Sequence, residues 1–245
     1  MTPRITLAIA GRVLRQLHHD PRTVALLIAV PALLVTLLRF LFDGRPAQFD
    51  AIGPPLVGLF PLISMFLVSS ITVLRERTTG TLERLLTMPL GKLDILAGYG
   101  LAFALLATVQ AAVVSVVAFG LLGLDVAGSP WAVGALAVGN ALLGMALGLF
   151  VSAFATSEFQ AVQFMPAFVL PQLLLCGLFI PRAQMAAALD VAAGALPMTY
   201  AYDSLHRVAS DGALGATGTL DVVVLAGAIL VALALGAATL RRRTA

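Results

Sequence analysis

Few residues of this chain have the type and spacing that enzyme chemistry requires. Its three histidines, His18, His19 and His206, lie outside the long apolar segments, so none is placed to activate a serine within a membrane. The sequence contains no His-Glu-x-x-His and no Cys-x-x-Cys, which are common zinc-binding patterns. The single cysteine, Cys176, sits in an apolar run, where it is expected to pack as a small hydrophobic residue. We therefore predict no catalytic residue and no metal site.

Nucleotide binding is also not encoded in a recognisable form. A phosphate-binding loop reads Gly-x-x-x-x-Gly-Lys-Ser/Thr, because backbone N–H groups wrap the phosphates and the hydroxyl holds magnesium. The only Gly-Lys pair is Gly91-Lys92, which is followed by Leu93 and has Leu86 where the first glycine is needed. The net charge of +3 comes with no basic stripe and no aromatic platform for nucleic acid. Any ATP-driven process would need an ATPase on another chain.

The composition predicts an integral membrane protein. Of the 245 residues, 60% are hydrophobic and 11% are charged, and the mean hydropathy is +1.01. Soluble domains carry roughly 25% charged residues, and disordered chains are poor in apolar residues. A transmembrane helix needs about 20 apolar residues, so the chain has room for six helices and little else. The predicted fold class is therefore all-α, with any large soluble domain on another chain.

Six apolar runs predict six membrane spans. They cover about residues 23–42, 52–74, 95–124, 131–155, 161–180 and 222–240. The third run has 30 residues, or roughly 45 Å of helix. This length exceeds the hydrocarbon core, so the third span must tilt, kink or extend into water. The spans would form one domain, residues 23–245.

Residues 1–22 have the periodicity of an amphipathic helix. Apolar side chains recur every four positions, at Ile5, Ile9, Val13 and Leu17. Arg4 and Arg15 fall on another face, as expected for a helix that lies on the membrane surface among lipid headgroups. Asp20-Pro21 then offers an N-cap and a first-turn proline for the first span.

The distribution of basic residues predicts the orientation. With six spans, eleven of the 15 Lys and Arg residues lie on the side that holds both termini. Lys and Arg concentrate in cytoplasmic loops, so both termini are predicted to be cytoplasmic in a multi-pass protein of the cell membrane. Residues 75–92 then form a cytoplasmic loop. Residues 181–221 form an outer segment, with short helices broken at Gly194 and Pro197.

The cytoplasmic loop has an internal helical pattern. Gly80 interrupts the chain, Thr81 to Thr87 can form a short helix, and Pro89 ends it. One face of this helix is apolar and consists of Leu82, Leu85 and Leu86. Such a stripe either docks into a groove of a partner protein or rests on the bilayer surface or neighbouring spans. Its spacing does not distinguish these alternatives.

Three segments together resemble one family. Residues 76–90, Glu-Arg-Thr-Thr-Gly-Thr-Leu-Glu-Arg-Leu-Leu-Thr-Met-Pro-Leu, resemble the Glu-Arg-x-x-Gly-Thr-Leu-Glu-x-Leu-Leu-x-x-Pro-Leu stretch of ABC transporter type-2 permeases, the membrane subunits of exporters similar to the daunorubicin exporter. Residues 176–181 resemble the end of the family's fifth span, and residues 196–200 resemble its Asn-Pro-Leu-Thr-Tyr segment. Cys176 replaces a small hydroxyl residue, Leu196 an asparagine, and Met185-Ala186 a Met-Pro pair. These outer-side departures bear on subfamily and substrate.

The resemblance implies a half-channel that pairs with a second permease, identical or paralogous, and with two cytoplasmic ABC ATPase subunits. The ATPases would hold ATP and Mg, with no cofactor on this chain. Residues 1–22 would be an interface helix at the cytoplasmic membrane surface, and residues 181–196 an outer re-entrant hairpin. The loop would hold the coupling helix, with the ATPase-coupling residues Glu76, Gly80, Thr81, Leu82, Glu83, Leu85, Leu86 and Pro89.

Such a permease would export an apolar or amphipathic substrate: a drug, a lipid or a lipid-linked glycan. The candidate substrate path consists of Gln163, Phe164, Met165, Phe168 and Gln172. The candidate outer gate consists of Gly177, Pro181, Pro197 and Tyr200. The alternatives are a membrane anchor or assembly subunit without transport of its own and, less favoured, an intramembrane enzyme. Ion coupling is disfavoured because the spans are nearly uncharged.

Two features inside the spans have more than one interpretation. The polar residues Gln110, Asn140, Gln163 and Gln172 are expected to form interhelical hydrogen bonds, worth about 0.6 kcal/mol each. The alternative for Gln163 and Gln172 is that they line the path. Gly144-x-x-x-Gly148 allows a close helix contact, within the subunit or at a dimer face.

Overall fold

The computed structural model describes residues 2–87 and 91–239, and in these ranges the chain forms ten α-helices and no strand. The description excludes the side chains of Leu82, Glu83, Leu86, Lys92 and Leu93. The helices are α1 (Pro3–His18), α2 (Pro21–Leu41), α3 (Pro46–Thr78), α4 (Thr81–Thr87), α5 (Lys92–Ser115), α6 (Pro130–Val151), α7 (Glu158–Leu175), α8 (Ala187–Gly194), α9 (Pro197–Asp211) and α10 (Gly215–Thr239).

The first helix uses its apolar face for contacts within the protein. Ile9, Val13 and Leu17 are buried, and they belong to a core cluster with Ile95 and Phe103 of α5. The apolar face of α1, which would also suit a membrane surface, is therefore largely buried against α5. Arg4 and Arg15 remain on the exposed side of α1, as expected from their hydration.

The start of α2 follows the capping pattern read from the sequence. Asp20 Oδ1 accepts a hydrogen bond from Thr23 N at 3.3 Å, and Asp20 Oδ2 accepts one from Thr23 Oγ1 at 2.6 Å. These bonds favour the ionised carboxylate and lower the pKa of Asp20. The predicted N-cap is confirmed.

The close pair at the centre of the bundle is α3 and α6. A Cβ atom at Gly144 would overlap the backbone carbonyl oxygen of Leu62, and one at Gly148 would overlap that of Phe66. Both glycines therefore permit backbone contact between α6 and α3. The two-glycine motif serves packing inside the subunit, which decides between the two alternatives left by the sequence.

Five helices in the described ranges are long and apolar enough to cross a membrane, and the predicted count of six is not confirmed. The five are Pro21–Leu41, Pro46–Thr78, Asp94–Leu121, Pro130–Val151 and Gly215–Thr239. The remaining predicted span corresponds to α7, which has 18 residues. Its apolar character is diluted by polar and proline residues, namely Glu158, Gln160, Gln163, Pro166, Pro171 and Gln172.

Several helix boundaries differ from the apolar runs. Helix α3 continues to Thr78, because nothing in the sequence breaks it before the Gly80 turn. Helix α10 begins at Gly215, so Asp221 lies within a helix rather than in the outer segment. The long third run is accommodated by a change of helix type, since a π-helical turn, Val116–Leu121, follows α5.

Candidate coupling site and outer gate

The short helix α4 lies at one end of the bundle, where it follows the long helix α3 and precedes the long helix α5. Helix α3 ends where Thr79 N donates to Arg75 O at 2.9 Å and Gly80 N donates to Arg77 O at 3.3 Å. Gly80 has φ +72°, and within the described part of the chain no atom beyond its two neighbouring residues lies within 4 Å of the position a Cβ would occupy. The left-handed conformation, rather than lack of space, explains the glycine.

Helix α4 shows a mixed surface in its described side chains. Leu85 is half-buried and packs against the core cluster that includes Ile9 and Ile95. Arg84 and Thr87 are exposed, and Thr81 is half-buried. At least part of the predicted apolar stripe therefore rests on the chain's own helices. The side chains of Leu82, Glu83 and Leu86, and the whole of Pro89, lie outside the described residues.

Glu76, one of the predicted coupling residues, faces inward. Its residue exposure is 2%. One carboxylate oxygen accepts hydrogen bonds from the Tyr99 hydroxyl and, at 3.3 Å, from Arg12 Nη2. Glu76 thereby joins α3 to α1 and α5, one turn before the Gly80 turn.

Two further arginines tie the same end of α3 to other elements. Arg75 Nε and Nη2 donate to the two carboxylate oxygens of Glu158 at 2.8 and 2.9 Å, which connects α3 to the first residue of α7. These bonds lower the pKa of Glu158. Arg77 Nη1 donates to Ser152 O at 2.7 Å, at the end of α6. The helix that leads into α4 is therefore anchored on several sides.

Sequence reasoning missed Arg12, Tyr99 and Asp94 as parts of this site. Asp94 Oδ1 accepts hydrogen bonds from Thr2 N at 2.9 Å and, at the 3.5 Å limit, from Thr6 Oγ1, which fastens the start of α1 to the start of α5. A signal was available for Arg12. It lies three residues after Ile9 and next to Val13, so a charged residue borders the apolar stripe of α1.

The predicted path residues do not share one environment. Gln163 and Phe168 are exposed on the outside of the subunit, while Phe164 and Met165 are half-buried against the core. Gln172 is buried, and its Nε2 donates to Phe168 O of its own helix at 2.9 Å.

Two polar residues of the spans connect helices. Gln110 Nε2 donates to Leu27 O at 2.8 Å, between α5 and α2. Asn140 Nδ2 donates to Ala201 O at 3.3 Å, between α6 and α9. The hydrogen-bonding interpretation therefore holds for these two residues.

The predicted gate residues lie along the connection from α7 to α9. Gly177 has φ +103°, and a Cβ there would lie 3.2 Å from the Tyr202 ring. Pro181 precedes a short 3₁₀ turn, and Pro197 begins α9. The Tyr200 hydroxyl donates to Gly194 O at 2.6 Å, which closes the α8–α9 corner.

Arg182, to which the sequence analysis gave no site role, connects helices of the predicted outer segment. Arg182 Nη2 lies 2.7 Å from Asp190 Oδ1 of α8, and Arg182 Nη1 lies 3.9 Å from Asp203 Oδ2 of α9. Burial and the nearby Asp221 raise the pKa of Asp203. Arg207 in turn lies 3.2 Å from Asp221 of α10.

The chain belongs to the ABC-2 type transporter family, whose model matches residues 5–208. With its several long apolar helices, it is a multi-pass membrane protein of the ABC permease class. This result confirms the resemblance read from the loop and the outer motifs.

Curated relatives agree with the family. The chain is 29% identical over 132 residues to the probable multidrug ABC transporter permease YbhR of Escherichia coli, a match that covers 54% of this chain and 36% of the relative. It is 26% identical over 172 residues to the linearmycin resistance permease protein LnrN of Bacillus subtilis, covering 70% of this chain and 43% of the relative. The chain thus spans less than half the length of these relatives.

Proposed function

We propose that this chain is the membrane permease subunit of an ATP-driven exporter and that α4 is its coupling helix. The observation that supports this most directly is the position of α4, which follows α3 through the left-handed Gly80 turn and precedes α5. A short helix held in this way can fit a cleft of an ATPase and pass its movement to two long helices at once.

The proposed complex contains two ATPase subunits, which bind ATP and Mg, and a second permease, identical or paralogous. Gln163 and Phe168 lie on the exposed side of α7. A glutamine that faced lipid would lack hydrogen-bond partners, so this side is better suited to the substrate path between two permeases. Gly177, Pro181, Pro197 and Tyr200 would form the outer gate. In the proposed arrangement, both termini lie in the cytoplasm.

The proposed substrate is apolar or amphipathic, in the class of a drug, a lipid or a lipid-linked glycan. The spans carry few charged groups, which suits such a substrate and disfavours ion coupling. The names of the relatives, a multidrug permease and a linearmycin resistance permease, point in the same direction. No catalytic role is proposed for this chain.

Reconstitution tests the proposal. The chain is co-expressed with a candidate ABC ATPase from the same genome, purified and placed in liposomes, and ATP hydrolysis is measured with and without a panel of apolar compounds. We expect co-purification and substrate-stimulated hydrolysis. Gly80→Ala and Glu83→Ala should weaken both, and Asp43→Asn, at the far end of α2, serves as the control.

Two results would contradict the proposal. Unchanged co-purification and unchanged substrate-stimulated hydrolysis in the Gly80 and Glu83 variants would exclude α4 from coupling. Stable ATPase binding without stimulation by any compound would favour the alternative, an anchor or assembly subunit.

A further inference from the structure

A buried charged cluster at the α4 end of the bundle has no role in the function proposed above. It consists of Arg12 on α1, Glu76 on α3 and Tyr99 on α5. Glu76 and Tyr99 are 2% and 3% exposed. Removing a carboxylate from water is strongly unfavourable unless it is paired and hydrogen-bonded. The cluster therefore holds only while all three helices stay in register.

The cluster is one of two polar attachments of α1 among the described residues, beside the apolar packing of α1 on α5. The other lies at the start of α1, where Asp94 accepts hydrogen bonds from Thr2 and Thr6. Between them, the backbones approach closely, since a Cβ at Gly98 would lie 2.6 Å from Ile9 Cβ. Helix α1 is thus held along its length to α5, and the Arg12–Glu76 ion pair also connects it to α3.

Glu76 links this connection to α4 because it lies close to the end of α3. Glu76 lies two residues before the end of α3, and α4 follows after the Gly80 turn. A displacement of α4 that moves the end of α3 must either carry Arg12 with it or separate a buried ion pair. Separation leaves the buried Glu76 carboxylate without its cationic partner, which is the costly outcome, whereas Arg12 is 31% exposed and can be hydrated.

The cluster also has unused hydrogen-bonding capacity. Glu76 Oε1 and Arg12 Nη1 are buried and have no hydrogen-bond partner among the described residues. A polar network in which some groups lack hydrogen-bond partners stabilises one fixed arrangement less than a network in which every group has a partner. This favours a joint between moving parts over a purely static support.

We propose that Arg12, Glu76 and Tyr99 form an interlock that makes α1 move together with α3 and α4. The three are positioning residues that act through α4. The consequence for coupling rests on the proposed function, whereas the mechanical link between helices does not.

The test compares three variants of the full chain in lipid nanodiscs. Tyr99→Phe removes one hydroxyl and keeps the ring, so it is the mild variant, and Glu76→Gln removes the buried charge. Glu158→Gln is the matched control, because it removes an exposed ion pair from the same end of α3. Amide hydrogen exchange of α1 is the first measurement.

We expect Tyr99→Phe to speed exchange in α1 by about two- to twelvefold, which corresponds to the net contribution of one hydrogen bond. Glu76→Gln should have a larger effect, and the control none. Unchanged exchange in both cluster variants, or equal acceleration in the control, would overturn the interlock.

The second measurement is ATP hydrolysis by the reconstituted complex with its ATPase, using Mg-ATP in liposomes. We expect both cluster variants to retain bound ATPase but to lose stimulation by about three- to thirtyfold. Faster exchange in α1 with normal stimulation would overturn the coupling consequence. If the wild-type chain neither binds nor stimulates the ATPase, the proposed function fails, while the exchange comparison still decides on the interlock.

Discussion

At the scale of single residues, conformation and burial decide what each side chain of the loop can do. Gly80 is needed for its left-handed backbone, whereas Glu76 is directed into the protein by Arg12 and Tyr99. Both belong to the segment that resembles the family, yet their physical roles differ. Gly80 sets the direction in which α4 leaves α3, and Glu76 fixes the end of α3 that precedes α4.

Replacing Gly80 by alanine should destabilise the turn without a steric clash. A side chain in the left-handed region costs about 1–2 kcal/mol, so the open form of the loop should become roughly five- to thirtyfold more populated. We expect trypsin cleavage after the exposed Arg84 to accelerate by that factor, measured by mass spectrometry. Gly100→Ala is the control, since Gly100 is helical and has open space around it. Equal cleavage of both variants would argue against this role of Gly80.

The Arg75–Glu158 pair should make a small, pH-dependent contribution to stability. Arg75 lowers the pKa of Glu158 below its ordinary value near 4.5, so the contribution is present above that value and is lost as the pH falls through the lowered pKa. Both side chains are 52% exposed, which limits the contribution to about 1 kcal/mol or less.

The thermal unfolding of wild-type chain and Glu158→Gln, followed from pH 7 down to pH 3, checks this sign. We expect the wild type to be slightly more stable at neutral pH and the difference to vanish in acid. A difference that grows on acidification would be incompatible with a lowered pKa.

At the scale of helices, the contact of α3 with α6 organises the bundle. Gly144 and Gly148 face backbone atoms of α3, which cannot rotate away as a side chain can. The other helices add polar contacts to this frame, such as the Gln110 bond to Leu27 O. The stability of the frame should therefore depend on the two glycines more than on any single polar contact.

Gly144→Ala should lower the stability of the folded chain. The added methyl group overlaps the Leu62 carbonyl and must push α6 away from α3, a form of overpacking that costs about 1–3 kcal/mol. Gly139→Ala is the matched control on the same helix, because its methyl group would meet Leu225 Cδ2 at an ordinary 3.5 Å. Thermal unfolding in detergent should show a lower midpoint for the first variant alone, and equal midpoints would contradict the packing argument.

At the scale of the whole molecule, the topology depends on whether α7 crosses the membrane. If α7 crosses, three crossings, by α5, α6 and α7, separate α4 from α9, so these helices lie on opposite sides. If it does not, they lie on the same side. The proposed arrangement requires the crossing, because it places α4 with the ATPase and the gate outside.

Single cysteines at two exposed positions should decide this. In a Cys176→Ala background, Ser210→Cys should react with a membrane-impermeant maleimide in intact cells, and Arg84→Cys should react only after permeabilisation. Both positions are exposed in the structure. Labelling of both cysteines from the same side would show that α7 does not cross. A reporter protein fused after Ala245 should give the signal expected for a cytoplasmic location.

Properties that depend on neighbouring residues could be predicted from the sequence. The membrane class, the five confirmed apolar helices, the short helix at Thr81–Thr87 and the N-cap at Asp20 all follow from hydropathy, periodicity or capping within one stretch of chain. The predicted α7 span was the exception, since its glutamines and prolines leave the local signal weak. The loop and outer motifs were enough to identify the family.

Only the tertiary structure decided which distant residues meet. Arg12 and Glu76 are separated by 64 positions, and Gln110 and Leu27 by 83. An apolar stripe on α1 can bury itself in lipid or on α5 with similar benefit, and two glycines can face any helix that offers a smooth backbone. Periodicity specifies the face of a helix but not its partner, because partner choice depends on how all the helices pack together.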